Sequence, residues 1–161
     1  RDDSRVVSLD DYLIPRLARD TRGIGAHDHA ATNLERAAAD LEKLRAGHPC
    51  AKPVYDHSRG GAVSTETIEP ARFLIVEGVH ALHPRVRPLI DLGVFLDASA
   101  EVRYRRVARD VAEKGLSETY ARGVYARLEE ECKKFLLPLR DLADVVIAVD
   151  DAFGLKWVSP A

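Results

Sequence analysis

The chain has 161 residues, which is the length of one domain with a hydrophobic core of its own. Its 24 Lys and Arg and 26 Asp and Glu leave a net charge of −2, so the composition gives no support for nucleic-acid binding as the main function. No apolar run approaches the roughly 18 residues of a membrane span and no secretory leader is visible, so we expect a cytoplasmic protein that makes no membrane contact. Cys50 and Cys132 lie far apart without metal-ligand spacing, which predicts two reduced thiols.

The first third of the chain predicts one strand, a polar loop and one helix. The segment RVVSL (5–9) is typical of a short strand and is followed directly by Asp10. A polar loop comes next; it contains Pro15 and two glycines and carries the sequence HDH at 27–29. From 31 to 45, apolar residues recur at helical spacing, and a glycine and a proline after this segment indicate its end.

Four further segments predict β-structure. Residues 49–70 have Gly-Gly near their centre and β-forming residues on both sides, which predicts a hairpin. The segments FLIVE (73–77), GVFLDA (93–98) and DVVIAVD (144–150) are short and apolar. Such runs are typical of strands that are covered on both faces in a parallel sheet.

Apolar residues at helical spacing predict two helices between the last two strands, over about 99–113 and 117–135. Alternating strands and helices indicate βαβ units. The sequence therefore predicts an α/β fold, an open parallel sheet with helices on both faces, in a single domain over 1–161.

Two acidic residues follow predicted strands. Asp10 comes after the first strand and Glu77 ends the strand 73–77. Because ligands of open parallel sheets bind at the carboxyl ends of the strands, these acids could face one cleft as a proton acceptor and a ligand of a divalent cation. The alternative is that each acid only caps the following turn.

Four arginines occur within seven residues of the helix predicted at 99–113, namely Arg103, Arg105, Arg106 and Arg109. Forked guanidinium groups suit the oxygens of phosphates, so these side chains could clamp phosphate groups. The alternative is a solvent-exposed charged face that is balanced by neighbouring acids.

Six segments in order, VVSLDDY, HDH, PVYDHSR, FLIVEG, FLDASAEVRYRRVARD and FLLPLRDLADVVI, resemble the phosphoribulokinase/uridine kinase family of P-loop kinases. The resemblance runs from about residue 5 to residue 149. It implies a P-loop NTPase-like fold with a β-hairpin excursion and a helical lid. It also implies an ATP-dependent phosphotransferase that uses Mg²⁺ and acts on a hydroxyl group of a small molecule.

The resemblance further implies roles for individual residues. Asp10 matches the acid that accepts the proton of the substrate hydroxyl, and Glu77 matches the acid that supports Mg²⁺. Tyr55 and His57 match the hairpin that lines the substrate pocket, and Asp28 resembles the acid that binds sugar hydroxyls in nucleoside-specific members.

The lid helix of the family matches the arginine-rich segment, with Arg106 touching substrate and nucleotide phosphates and Arg109 touching the nucleotide. For His27 we expect a surface or turn position, whereas for His29 a turn position and a functional role both stay open. A zinc site at HDH is the alternative, although it lacks a third ligand at a diagnostic spacing.

The chain departs from the family in two respects. The phosphate loop G-x-x-x-x-G-K-[ST] is absent, so the N-terminal strand, the loop and the first helix of the family have no counterpart here. We expect a truncated chain that is nearly inactive by itself; the alternatives are a loop from another polypeptide and a non-catalytic binding or regulatory relative. Leu116 and Val124 stand where uridine kinases usually carry an arginine and a glutamine, which weakens the case for uridine or cytidine.

The acceptor therefore stays open between a nucleoside, a sugar-like compound and another small metabolite. A nucleotide kinase with a phosphate acceptor is a further alternative, but such an enzyme would need more basic residues in the hairpin than Lys52 and Arg59. The sequence also leaves open whether the chain forms homo-oligomers and whether ATP or GTP is preferred.

Overall fold

The structure, a computed structural model, describes residues 3–158. The chain divides into two compact units, residues up to Asp91 and residues from Leu92 onward, and each is described by itself. Over the described range no helix is long and apolar enough to cross a membrane. The assignment of the whole chain to a single domain stays a prediction.

Four strands of the first unit form two separate sheets: β1 (Ser4–Ser8), β2 (Cys50–Asp56), β3 (Gly61–Ile68) and β4 (Phe73–Glu77). Strands β1 and β4 pair in parallel, with Ser4 opposite Phe73 and Ser8 opposite Glu77. Strands β2 and β3 pair in antiparallel, which confirms the predicted hairpin. The predicted strand 73–77 is confirmed with the same bounds.

Two helices lie between β1 and β2. Helix α2 (Leu34–Arg45) confirms the helix predicted at 31–45 with a later start, because the side chain of Asn33 caps it by accepting the N–H of Arg36. The prediction of an unbroken loop after Asp10 is wrong, since α1 (Arg16–Arg22) forms there. None of its seven residues is buried, so it has no apolar stripe that could reveal it in the sequence.

The core of the first unit lies between α2 and one face of the β1–β4 pair. Its buried members are Val7, Leu9, Tyr12, Leu34, Ala37, Leu41, Leu44, Cys50 and Val86. The other face is open, because Val6, Phe73 and Ile75 are 54%, 57% and 52% exposed. Within residues 3–158 this face of strand 73–77 is therefore not covered. The apolar side chains of this strand alternate between the core and solvent. An uninterrupted apolar run in the sequence does not indicate which of its residues face solvent.

The second unit contains one sheet of three strands, β5 (Val94–Asp97), β6 (Val145–Val149) and β7 (Leu155–Val158). Strands β5 and β6 pair in parallel, as predicted. Strand β7 was not predicted and pairs with β6 in antiparallel. The parallel pairs with intervening helices confirm the α/β class.

The two predicted helices of this unit are present as α3 (Ala100–Glu113) and α4 (Glu118–Glu131). Ser99 and Ser117 cap their first turns with side-chain oxygens. Two carboxylate oxygens of Glu129 in α4 accept hydrogen bonds of 2.7–3.0 Å from Arg103 in α3, and this forked ion pair joins the helices.

Candidate functional site

The two predicted strand-end acids lie at the same edge of the β1–β4 pair. Glu77 is the last residue of β4 and stands opposite Ser8, the last residue of β1. Asp10 follows two residues after Ser8, in the 3₁₀ segment Leu9–Tyr12. Both acids are exposed. Within residues 3–158 neither carboxylate takes part in a hydrogen bond or an ion pair, so both are available to a ligand.

A glycine directly after Glu77 lets the two strand ends approach closely. Gly78 has φ +134°, a backbone conformation that L side chains rarely adopt, and a Cβ built there would lie 2.8 Å from Cβ of Leu9. Leu9 is buried in the core and immediately precedes Asp10. The contact between Gly78 and Leu9 therefore sets how near the backbones that carry the two acids come to each other.

The loop after β4 is held to the 27–32 segment by His80, which is almost fully buried. Its Nε2 lies 3.0 Å from the carbonyl oxygen of His27, and its Nδ1 lies 3.1 Å from Oγ1 of Thr32. Because a carbonyl oxygen only accepts, Nε2 carries the hydrogen and Nδ1 accepts from the hydroxyl. Burial holds the pKa of His80 below its usual value, although the hydrogen bond to His27 opposes this effect. The sequence offered no sign that would separate His80 from the other histidines.

The HDH segment contains no metal cluster among the residues that the structure describes. Asp28 caps a short 3₁₀ turn by accepting the N–H of Ala30 at 2.9 Å, so its predicted contact with sugar hydroxyls stays a prediction. His29 is exposed, and its ring lies 5.4 Å from that of His83. Between residues 3 and 158 no group of three or more His, Cys, Asp or Glu side chains could hold a metal ion.

The predicted pocket residues Tyr55 and His57 lie together at the end of β2. Their rings meet edge to face with centroids 5.1 Å apart. Helix α1 adds two arginines: Nη2 of Arg19 donates to Oη of Tyr55 at 3.2 Å, and Nη2 of Arg16 donates to the carbonyl oxygen of His57 at 2.5 Å. Nε of Arg19 is buried and has no hydrogen-bond partner in the described structure. Sequence reasoning missed both arginines because α1 itself was not predicted.

The arginines of α3 divide into two groups. Arg103 is bound to Glu129 and Arg105 pairs with Glu101, so the balanced-charge alternative describes these two. Arg106 donates to the carbonyl oxygen of Asp150 at 2.7 Å and lies 4.3 Å from the ring centroid of Phe153. Arg109 lies 3.6 Å from Asp151.

Arg106 and Arg109 thus both contact the turn at 150–153, between β6 and β7. Nε of Arg106 is buried without a hydrogen-bond partner within the described range, which leaves donor capacity on this side chain. The predicted contacts of the two arginines with phosphate groups stay predictions.

A family model described as the phosphoribulokinase / uridine kinase family matches residues 4–152, which is most of the chain. The chain belongs to the phosphoribulokinase/uridine kinase family. This confirms the resemblance found in the sequence, and it places the chain among P-loop kinases.

Two relatives of this kinase family illustrate the match. A phosphoribulokinase of Synechocystis sp. is 36% identical over 148 residues, which cover 89% of this chain and 44% of that protein. A uridine kinase of Clostridium perfringens is 31% identical over 141 residues, which cover 80% of this chain and 68% of that protein. The chain therefore spans less than half the length of the phosphoribulokinase that it matches.

The crystal structure of phosphoribulokinase from Rhodobacter spheroides shares the fold. It superimposes with a TM-score of 0.72 at 14% sequence identity, over 98% of this chain and 66% of that one. This similarity supports the α/β fold class. The relatives are kinases with small-molecule acceptors, and the kinase class is the function that the family membership supports.

Proposed function

We propose that this chain is part of an ATP-dependent kinase that transfers the γ-phosphoryl group of ATP to a hydroxyl group of a small, sugar-like metabolite. One observation carries the proposal. In a chain of a kinase family, two carboxylates without protein partners in the described structure lie at the carboxyl ends of two adjacent parallel strands, where ligands of such sheets bind.

Asp10 and Glu77 take different roles in this proposal. Asp10 orients the acceptor hydroxyl and accepts its proton during attack on the γ-phosphorus. Glu77 is an exposed oxygen donor, and Mg²⁺ usually keeps several waters and takes only one or two carboxylates together with substrate phosphates, so this site fits the ion without a protein-only cluster. When bound, Mg²⁺ neutralises charge on the β- and γ-phosphates.

Two further groups complete the proposed mechanism. The role of Arg106 and Arg109 rests on the resemblance of their segment to the family's lid helix: their guanidinium groups would donate to phosphate oxygens as negative charge is redistributed. Tyr55 and His57 at the end of β2 bind the acceptor and hold it in line with the transferred group. Because phosphoryl transfer depends mostly on positioning and charge stabilisation, a phosphate loop of the kind typical of the family would have to supply the larger part of catalysis.

The guanidinium groups of α1 favour an acceptor that carries an anionic group. Arg16 and Arg19 stand beside His57 and Tyr55, and the buried Nε of Arg19 is a donor without a partner in the described structure. A phosphate on the acceptor would pair with the forked guanidinium groups of Arg16 and Arg19. A sugar phosphate is therefore the first acceptor class to test, and it agrees with the phosphoribulokinase relatives. Leu116 and Val124 argue against uridine and cytidine.

The test uses the full-length protein with labelled ATP and a panel of sugar phosphates, neutral sugars and nucleosides. We expect labelled phosphate on a sugar phosphate. Asp10→Asn should lower kcat by about 100-fold or more and leave ATP binding intact, because only the proton acceptor is lost. Asp20→Asn, an exposed acid on α1, is the matched control and should retain activity.

Two outcomes would contradict parts of this proposal. Unchanged turnover of the Asp10→Asn variant would remove Asp10 from its role as proton acceptor. Binding of a ligand without phosphoryl transfer to any acceptor would favour the non-catalytic relative. The acceptor class has its own test: Arg19→Met should raise KM for a sugar phosphate more than KM for a neutral sugar, because both lose the contact with Tyr55 but only the sugar phosphate loses an ion pair.

A further inference from the structure

A lysine in the hairpin is almost fully buried and bound to the residue that follows Asp10. Lys52 is 3% exposed, and its Nζ donates to Oδ2 of Asp11. The same ammonium group lies 2.8 Å from Oε1 of Glu66 on β3 and 3.2 Å from the carbonyl oxygen of Pro53. All three donor positions of the ammonium group thus have acceptors.

The second carboxylate oxygen of Asp11 contacts the same hairpin. Oδ1 accepts the backbone N–H of Tyr55 at 3.0 Å. The pairing register of β2 and β3 shifts between Val54 and Tyr55, so this contact falls at a β-bulge. Asp11 therefore binds the hairpin at two points, the ammonium group of Lys52 and the backbone of Tyr55, which is one of the proposed pocket residues.

Stability alone does not explain a buried ion pair at this position. Burial lowers the pKa of Lys52, but its hydrogen bonds with Asp11 and Glu66 outweigh that effect and raise the pKa above the ordinary value. The ammonium group is thus charged at neutral pH and stays away from water. Replacing a buried pair by apolar residues is often neutral for stability, so stability gives no sufficient reason for Lys52 and Asp11 at this position.

We propose that Lys52 and Asp11 are positioning residues that hold the acceptor-binding residues Tyr55 and His57 in register with Asp10. Asp11 is covalently next to Asp10 in the 3₁₀ turn Leu9–Tyr12, so the contacts that hold Asp11 also restrain the backbone that carries the proton acceptor. The pair therefore couples the place where the acceptor binds to the place where its hydroxyl loses a proton. This inference rests on the proposed kinase function.

Loss of this positioning should impair use of the acceptor and leave use of ATP unaffected. A displacement of about 1 Å between a bound hydroxyl and its proton acceptor can reduce turnover by about 100-fold. We expect Asp11→Asn and Lys52→Met to lower kcat/KM for the acceptor by about 10- to 100-fold per folded molecule, while KM for ATP does not change. Hydrolysis of ATP by water should rise relative to transfer, because the hydroxyl is no longer aligned.

The experiment uses the full-length protein and compares Asp11→Asn, Lys52→Met, their double variant and Lys52→Arg. Lys133→Met, at an exposed lysine paired with Glu130, is the control. The two single effects on the acceptor should not add in the double variant, since both break one contact. Lys52→Arg, which keeps a buried cation, should recover part of the acceptor kcat/KM.

A second readout does not depend on activity. Amide hydrogen exchange should increase at the hairpin end, Tyr55 included, in Asp11→Asn and Lys52→Met, with protection of α2 retained. Unchanged exchange at Tyr55 would overturn the inference. An acceptor kcat/KM that stays unchanged per folded molecule would also overturn it. An equal loss of kcat/KM for the acceptor and for ATP would overturn it as well, because it would indicate a structural role only. If the unmodified protein transfers no phosphate, the proposed function fails, and the exchange data still report on the contact itself.

Discussion

Replacing Gly78 by alanine tests the close approach of the two strand ends on which the candidate site depends. The new Cβ would lie 2.8 Å from Cβ of Leu9, whereas carbon atoms in contact are usually about 3.5–4.0 Å apart. Leu9 is fully buried and cannot move without disturbing the core of the first unit. The backbone at φ +134° is also strained for any residue with a side chain.

Two contributions set the expected magnitude. Strain at this φ costs about 1–3 kcal/mol, and forcing an extra methyl group into a packed core costs about 1–3 kcal/mol. Gly78→Ala should thus lower the free energy of unfolding by about 2–6 kcal/mol. Gly23→Ala is the matched control, because Gly23 has φ +64° and a Cβ added there would meet no atom within 4 Å, so strain alone costs about 1–2 kcal/mol.

Urea unfolding followed by far-ultraviolet circular dichroism compares the two variants in the full-length protein. Kinase activity per folded molecule should fall in Gly78→Ala, because the backbones of Asp10 and Glu77 move apart, and should persist in Gly23→Ala. A Gly78→Ala variant that is no less stable than Gly23→Ala would refute the close contact between Gly78 and Leu9. The two strand ends would then be free to separate.

Two further predictions concern stability. Because the folded pKa of His80 is lowered, its stabilising contribution is present above the unfolded pKa of about 6.5 and is lost as pH falls below that value. The urea concentration at the unfolding midpoint should fall less steeply between pH 7.5 and 5 in His80→Gln than in the unmodified protein. An equal pH dependence of the two midpoints would contradict burial of a neutral imidazole. Glu129→Ala should destabilise the α3–α4 pair by about 1–3 kcal/mol, because it leaves half-buried Arg103 without its carboxylate. Glu130→Ala, which breaks only an exposed pair with Lys133, should cost less than about 0.5 kcal/mol and serves as the control in thermal unfolding.

Local sequence patterns were sufficient for most of the elements. The helix α2 and the strand β4 were predicted because their apolar residues recur with helical or strand-like character within a few positions. Helix α1 and strand β7 were not, since α1 buries no residue and β7 depends on its antiparallel partner β6. A short element without its own apolar face is stabilised by contacts that are distant in the sequence.

Some residues of the candidate site could likewise be predicted from the sequence, and others could not. The acids Asp10 and Glu77 could be selected because each follows an apolar strand, and the parallel register then places both at one edge. Arg19 and His80 could not be selected, because their importance comes from contacts with Tyr55 and Thr32, 36 and 48 residues away in the chain. The residues next to Arg19 and His80 in the sequence contain no pattern that predicts such contacts.

The sequence by itself determined the α/β class, the family and the two strand-end acids, because periodicity, ordered motifs and strand ends are all local properties of the chain. Only the tertiary structure decided that Asp11 and Lys52 form a buried ion pair and that two arginines of α1 stand beside the hairpin. The physical reason is that the energetic contribution of a charged side chain depends on its burial and its partners. Both are set by how segments distant in the sequence pack against each other.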